Sequence, residues 1–437
     1  MLRTANRVCL FITAYVLLVS CRAYQLDSAQ ETLRSTFARQ DFQKSEDLLT
    51  RFGDKEIYRP KDEVLYRLEL GTVTHFKGNF EQSNVHFTEA EDRIDQLFTK
   101  SVSRAVQSFL LNDNALAYDG EDYEDIYLNI FKALNFIHLE EFEAALVESR
   151  RIAFKLQRLN IRYKGLVEAL SKADTTGQVD WKTGDTNVQN SALGHYLSAI
   201  LFAKTNKPDD ARIAFQNLLA SLRDQPAVYP FSPPLRSELR KVTQPDRYNL
   251  LVTAFSGRAP VKVQHDLRLY LDQPDLYLKF SVPSLRMYRS QVSRVEVHVN
   301  GDSLHKELYL LEEMDRVARE VYKVKEPIIY ARSVVRSYLK AAGTNKISDE
   351  IGEKNHFLGG LANFLGKIGQ EATEKADLRG WQTMPGKVHA AVLHLPPGTH
   401  EIDILYYGAG QLVYSEKRSI TVGSQPELEL LESLYWN

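Results

Sequence analysis

Few residues in this 437-residue chain are spaced so that they could do chemistry. Its two cysteines are Cys9 and Cys21, the second within LLVSCR. A thiol there could be a nucleophile, half of a disulfide or an attachment point. Asp119, Glu121, Asp122, Glu124 and Asp125 crowd together. They could hold calcium, but the D-x-[DN]-x-[DN]-G spacing of a calcium loop is absent. Acids just ahead of an apolar-periodic segment also suit a helix N-terminus, whose dipole favours negative charge. Glu148, Arg150 and Arg151 close a helical segment and could grip a partner's carboxylates. Arg332, Arg336 and Lys340, at i, i+4 and i+8, form a basic stripe, either a solvated face or a site for phosphate or acidic partners. Asp377, Arg379 and Trp381 could make one buried anchor, with Arg379 paired to Asp377 or a helix carboxylate. His389, His394 and His400 lie closest among the histidines. His389 and His394 differ by five and point to opposite faces of a strand, so no metal site is expected. No G-x-S-x-G, H-E-x-x-H, P-loop, C-x-x-C or G-x-G-x-x-G is present, and the usual catalytic and phosphate-binding devices are therefore not expected. A glycosidase pair of carboxylates far apart in sequence stays open.

The elements that would position these residues begin with an N-terminal leader. Arg3 and Arg7 precede the apolar run Val8 to Val19. Twelve residues fall short of the roughly 20 that span a bilayer and suit the h-region of a secretory signal. Leu18-Val19-Ser20-Cys21 resembles the lipobox of bacterial lipoproteins. That resemblance implies cleavage before Cys21, a diacylglycerol on its thiol and acylation of the new amine. Cys9 is then lost with the signal, residues 1–20, and the mature chain has no thiol for catalysis or metal binding. Two or more acyl chains hold a protein firmly to a membrane. Arg22, rather than Asp, after the cysteine implies outer-membrane sorting, facing the periplasm. Loss of Arg3 and Arg7 takes the net charge from −2 to −4, close to neutral for this length, which argues against nucleic acid as a partner.

Residues 21–224 read as a helical domain, with apolar residues at i, i+3, i+4 and i+7. Leu70-Gly71, Gly78-Asn79-Phe80, Phe87 and Ala90 resemble a tetratricopeptide repeat, with Gly71 at the contact of two helices and Ser83 in place of the usual Ala. Ala133, Phe136, Phe142 and Ala145 fit a second unit in which Lys132 and Ser149 replace apolar residues. Ala199, Phe202, Ala211 and Phe215 fit a third around Lys207-Pro208-Asp209, and Phe37, Phe42 and Leu49 a weak leading one. Irregular spacing implies a divergent array with extra helices such as Ile94 to Leu111. Such an array offers a concave surface for a peptide or protein, or it packs only on its own C-terminal half.

Prolines at 226, 230, 233 and 234 mark a boundary. Residues 225–437 read as a β-sandwich-like domain with a helical insertion at about 311–375, giving an α+β chain overall. Strands are expected at Leu250 to Phe255, Leu276 to Val282, Val292 to Val299, Val388 to Leu395, Glu401 to Tyr407 and Leu412 to Val422. Asn300-Gly301 is a hairpin turn. Pro396-Pro397-Gly398 and Gly408-Ala409-Gly410 should turn the late strands into one another. Helices are expected at Leu311 to Val321 and Ile328 to Ala342. Phe357 to Gly369 is apolar on one helical face but weakened by four glycines, so it needs a core, a second subunit or a membrane to lie on.

The stretches EDYEDIYLNIFKALNFI, ALVESRRI and Ala376 to Ile404 resemble an uncharacterised family of bacterial outer-membrane lipoproteins with tetratricopeptide-like repeats and a β-rich C-terminal half. The resemblance rests on Asp377, Arg379, Trp381, Pro385 and the Pro397-Gly398-Thr399-His400 turn. It implies fold and location but no enzymatic activity. The expected function is that of a membrane-anchored, non-enzymatic scaffold holding an envelope partner, with no cofactor. A subunit of an oligomeric secretion or envelope complex, possible as a homo-oligomer, and a cell-wall hydrolase are the alternatives.

Overall fold

A computed structural model describes residues 25–103, 113–173, 180–271, 276–300, 304–344, 376–424 and 428–437. Cys21 and the segment Phe357 to Gly369 lie outside the described residues.

Eight helices form four antiparallel pairs: α1 (25–37) with α2 (Phe42–Asp54), α3 (Glu63–Lys77) with α4 (Phe80–Ser103), α5 (Asp122–His138) with α6 (Phe142–Ala173), and α7 (Ala192–Lys204) with α8 (Pro208–Asp224). The apolar spacing put each pair where expected. At Gly71 a Cβ would stand 2.7 Å from the Phe87 ring, so only glycine lets α3 and α4 approach this closely. Ser83 does more than substitute for Ala: its hydroxyl donates to the Gly71 carbonyl (2.7 Å). Gly78 ends α3 in the left-handed region, at φ 88°, which costs glycine little. No separate helix begins at Ile94. That residue continues α4, and Arg150 and Arg151, expected at a helix end, lie early in the 32-residue α6.

Among the described residues the second half holds nine strands: β1 (Leu250–Arg258), β2 (Val261–Leu271), β3 (Leu276–Arg286), β4 (Arg294–Val299), β5 (Leu304–Glu313), β6 (Pro385–Leu393), β7 (Gly398–Gly408), β8 (Gln411–Val422) and β9 (Glu429–Tyr435). Seven form one sheet in the order β8-β7-β4-β5-β6-β1-β9, antiparallel except for β1 with β9, while β2 and β3 pair separately. The sheet is a near-barrel rather than the expected sandwich. Its two ends meet through side chains: Tyr414 of β8 stacks on Tyr435 of β9 (4.8 Å), and from the next strand, β7, the Tyr406 hydroxyl donates to Ser433 Oγ (2.8 Å). Val295, Val297, Val299, Ile402, Ile404 and Tyr406 are among the buried residues filling its interior.

Three expectations about these elements fail. Leu311 to Glu313 end a strand rather than begin a helix, and one helix, α9 (Met314–Thr344), runs through Pro327. Proline removes the N–H that would bond four residues back; next to that opened turn, Gly184 donates its N–H to the Val324 carbonyl (3.0 Å). Second, the Pro396-Pro397-Gly398 link is no hairpin, because β6 pairs with β1 and β5 while β7 pairs with β4 and β8. Third, β2 and β9 were not anticipated. Glu429 to Tyr435 is rich in Leu and Glu, residues that favour helices, yet β1 offers a free edge and parallel pairing there prevails. The Gly408-Ala409-Gly410 turn does join β7 to β8, and β4 pairs antiparallel with β5 beyond Asn300.

Candidate functional site

The inner face of the helical array is filled by the chain's own C-terminal half. Phe76 and Phe131 each lie 5.7 Å from Phe255 of β1, Phe37 meets Trp436 at 5.4 Å, and one apolar cluster runs through helices and sheet alike. Residues 376–384 thread between α3 and α5. Two carboxylates receive their backbone: Glu124 accepts the Trp381 N–H (2.7 Å), while Glu69 accepts the N–H groups of Gln382 (2.7 Å) and Thr383 (3.2 Å). The Trp381 indole donates to Thr72 (2.8 Å) and packs 5.7 Å from Phe87. Burial pushes the Glu69 and Glu124 carboxyls up to about 7 in spite of these hydrogen bonds.

Arg379 is the centre of the same seam. Its guanidinium meets Asp377 (2.6 Å) and Asp62 (3.0 Å) and donates to the carbonyls of Asp113 (3.0 Å) and Leu116 (3.2 Å). Burial works against the Asp377 charge, but Lys262 and Arg379 outweigh it and hold its carboxyl at about 2. The Asp377, Arg379 and Trp381 anchor is therefore a clasp between the halves. A second clasp joins β9 to the array: Glu432 lies 2.7 Å from His138 and 3.3 Å from His75, whose other ring nitrogen sits 2.6 Å from Asn135. Burial opposes the Glu432 charge; His75 and His138 prevail and keep it well below the usual carboxylate range.

The acidic run before α5 is spent the same way, one acid at a time. Glu121 and Glu124 form a capping box. Glu121 also pairs with Lys262 (2.6 Å) and with Lys325 of α9. Asp122 accepts from the Tyr163 hydroxyl (2.7 Å) and Asp125 pairs with Lys155 (2.7 Å). Arg332 and Arg336 both reach Asp113 at 3.3 Å, so this part of the basic stripe is an internal tie; the side chain of Lys340 lies outside the described residues. Burial raises the Asp113 carboxyl, but Arg332 and then Arg336 lower it more.

The outer face differs. Between α4 and α6 lies a groove of about 640 Å³ bordered by Glu91, Asp95 and Phe98 on one side and Phe154, Arg158 and Ile161 on the other. Its floor is an ion network: Glu91 meets Lys155 (2.7 Å), Lys132 (2.8 Å) and Arg151 (2.9 Å). Burial opposes the Glu91 charge, and Lys155 and Lys132 bring its carboxyl down to about 2. Lys132, an odd residue for a repeat core, thus bridges Glu91 and the buried Glu148 (3.2 Å). Glu148 is buried beneath the groove, whereas Arg150 is exposed and Arg151 is 45 % exposed. Along the α6 rim Val147, Phe154 and Ile161 are exposed by 50 %, 53 % and 64 %. Seven-residue steps are two helical turns, so they form one apolar line, flanked by Arg150 on one side and by Arg151 and Arg158 on the other.

Of the three histidines weighed in sequence, His389 is buried in β6, His394 is exposed just beyond it, and His400 bonds Asn300 (2.9 Å) and the Pro396 carbonyl (2.7 Å). The structure instead brings Glu296, His298 and His305 together on β4 and β5. The available signal was Glu-x-His in a strand followed by a histidine across a turn. Among the described residues no helix is long and apolar enough to cross a membrane.

No protein-family model matches the chain, and no curated protein matches it. A solved structure of a tetratricopeptide repeat protein from Parabacteroides merdae is similar to part of it, at 14% identity over 51% of this chain and 99% of that one, with a TM-score of 0.15. A score that low carries no argument, so the repeat character rests on the four helix pairs themselves.

Proposed function

We propose that this protein is a non-enzymatic scaffold, anchored through acylated Cys21 to the periplasmic face of the outer membrane, which docks a partner on the outer face of α6. The observation that carries this reading is the exposed line Val147, Phe154 and Ile161. Exposed large apolar groups in a continuous patch mark interaction surfaces. The flanking Arg150, Arg151 and Arg158 select the partner's chemistry: an amphipathic helix with an apolar stripe and acidic edges, laid along α6. The inner face offers no such room, because the chain's own residues 376–384 and β9 occupy it.

Two experiments test the reading. Radiolabelled palmitate should enter the wild-type protein and not Cys21→Ala; equal labelling of both removes the anchor. Affinity purification of the acylated protein from its native envelope should recover a defined partner that Phe154→Asp/Ile161→Asp loses. Recovery unchanged by that double substitution rules out the α6 surface.

A further inference from the structure

We propose that the β4–β5 hairpin carries a site for one divalent first-row transition ion, with Glu296, His298 and His305 as its ligands. The strand pattern brings them together. Val295, Val297 and Val299 point into the barrel, so Glu296 and His298 share the outer face. The antiparallel register sets His305 directly across from His298. Glu296 Oε2 then stands 3.5 Å from His298 Nε2 and 3.3 Å from His305 Nε2, and one ligand atom from each of the three lies within 4.8 Å of the others. Ligands about 2.0–2.1 Å from a tetrahedral ion stand about 3.3–3.4 Å apart. Two edges of that tetrahedron are thus already spanned.

The carboxylate is held for this task. Its other oxygen, Oε1, takes a 2.7 Å bond from Arg294, whose guanidinium lies over the Tyr407 ring at 4.5 Å. An outer partner of this kind fixes how a ligating group presents itself. Charge on the face points the same way. Glu307 is the ladder partner of Glu296, while Asp403, across from His298 on β7, already meets Lys417 at 3.6 Å. Like charges directly opposite each other weaken a sheet, and Arg294 meets only one of the Glu296 oxygens. A cation at Oε2 relieves the rest. Two imidazoles and one carboxylate suit Zn²⁺ and its neighbours, whereas Ca²⁺ and Mg²⁺ take oxygen ligands. Three protein ligands leave a fourth position for water or an outside donor. A simple pair of histidine–carboxylate ion pairs is the competing account, and it predicts no metal.

The test uses the untagged full chain, stripped with chelator and titrated with Zn²⁺, with Co²⁺ as a spectroscopic substitute. One ion per chain should bind, and Co²⁺ should show the strong visible ligand-field bands of a low-coordinate site without thiolate. His298→Ala and His305→Ala should each weaken Zn²⁺ binding by at least about tenfold, the smallest loss typical even of an outer-shell change. His265→Ala, an exposed histidine on β2, should leave it unchanged. His305 is 54 % exposed, so its removal leaves a folded protein, checked by circular dichroism. Absence of stoichiometric binding, or equal affinity in His305→Ala and wild type, overturns the proposal.

Discussion

The two faces of the helical array use similar residues to different ends. On the inner face, aromatic rings and buried charges close on the chain itself: Glu69 and Glu124 receive the backbone of residues 381–383, Arg379 binds Asp62 and Asp377, and Glu432 joins His75 and His138. On the outer face, the floor charges neutralise one another below a rim on which Val147, Phe154 and Ile161 stay at least half exposed, with Arg158 lying over the Phe154 ring. A charged helix face is therefore not in itself a docking surface. What separates the two faces is whether apolar surface remains exposed beside the charges.

Substitutions should break this contrast to graded extents. Arg379→Ala removes the 2.6 Å partner of Asp377 and leaves the fully buried Asp62 with the 3.3 Å contact to Arg59 alone, and should cost about 3–5 kcal/mol, as expected for breaking a buried pair. Denaturant unfolding measures it, and partner recovery by the surviving folded fraction should be unaffected. Glu432→Gln should cost about 1.5–3 kcal/mol, the range for bonds to charged groups, read from the same unfolding curves.

Acidity separates the two inner clasps. The depressed Glu432 carboxyl contributes stability above its unfolded value of 4.5 and loses it as pH falls through the folded value. His75, raised because Glu432 outweighs its burial, contributes below 6.5 and loses that as pH rises through its folded value. Glu69 has the opposite sign to Glu432. Its carboxyl rises from 4.5 to about 7, so the fold holds a proton that the unfolded chain has released, and stability falls as pH rises across that window. Glu69→Gln should lessen the fall of the thermal midpoint with pH between 4.5 and 7 without abolishing it, since Glu124 is raised to about 7 as well; an unchanged slope would refute this. Phe154→Asp should have the smallest effect on stability, within about 0.5 kcal/mol, while abolishing partner recovery.

Much of this architecture was legible from local pattern. Gly71, Gly78 and Phe87 announced a tight helix pair because each answers a local steric demand. Strands alternating Val with polar residues, as in Val295 to Val299, showed their two faces directly. Long-range choices were not legible. Nothing in ELLESLY says that β1 has a free edge for it, and nothing in Arg332 or Arg336 says that Asp113 lies opposite. Asn300-Gly301 predicts a two-residue turn, whereas the observed register pairs Val299 with Leu304 and His298 with His305, with more residues between the strands than such a turn allows. That difference of register hid the Glu296, His298 and His305 cluster. Charged residues were the least readable of all, since whether they face solvent or a buried partner is decided by elements distant in the chain.

The contrast between a filled inner face and an open outer face is tested most directly by site-specific photocrosslinking in the membrane-attached protein. A crosslinker at Phe154 or Ile161 is compared with one at Ile213, a comparably exposed apolar position on α8 (51 %). The account predicts one discrete crosslinked partner from both α6 positions and none from Ile213. The same products from all three positions, or none from Phe154 and Ile161, would contradict it.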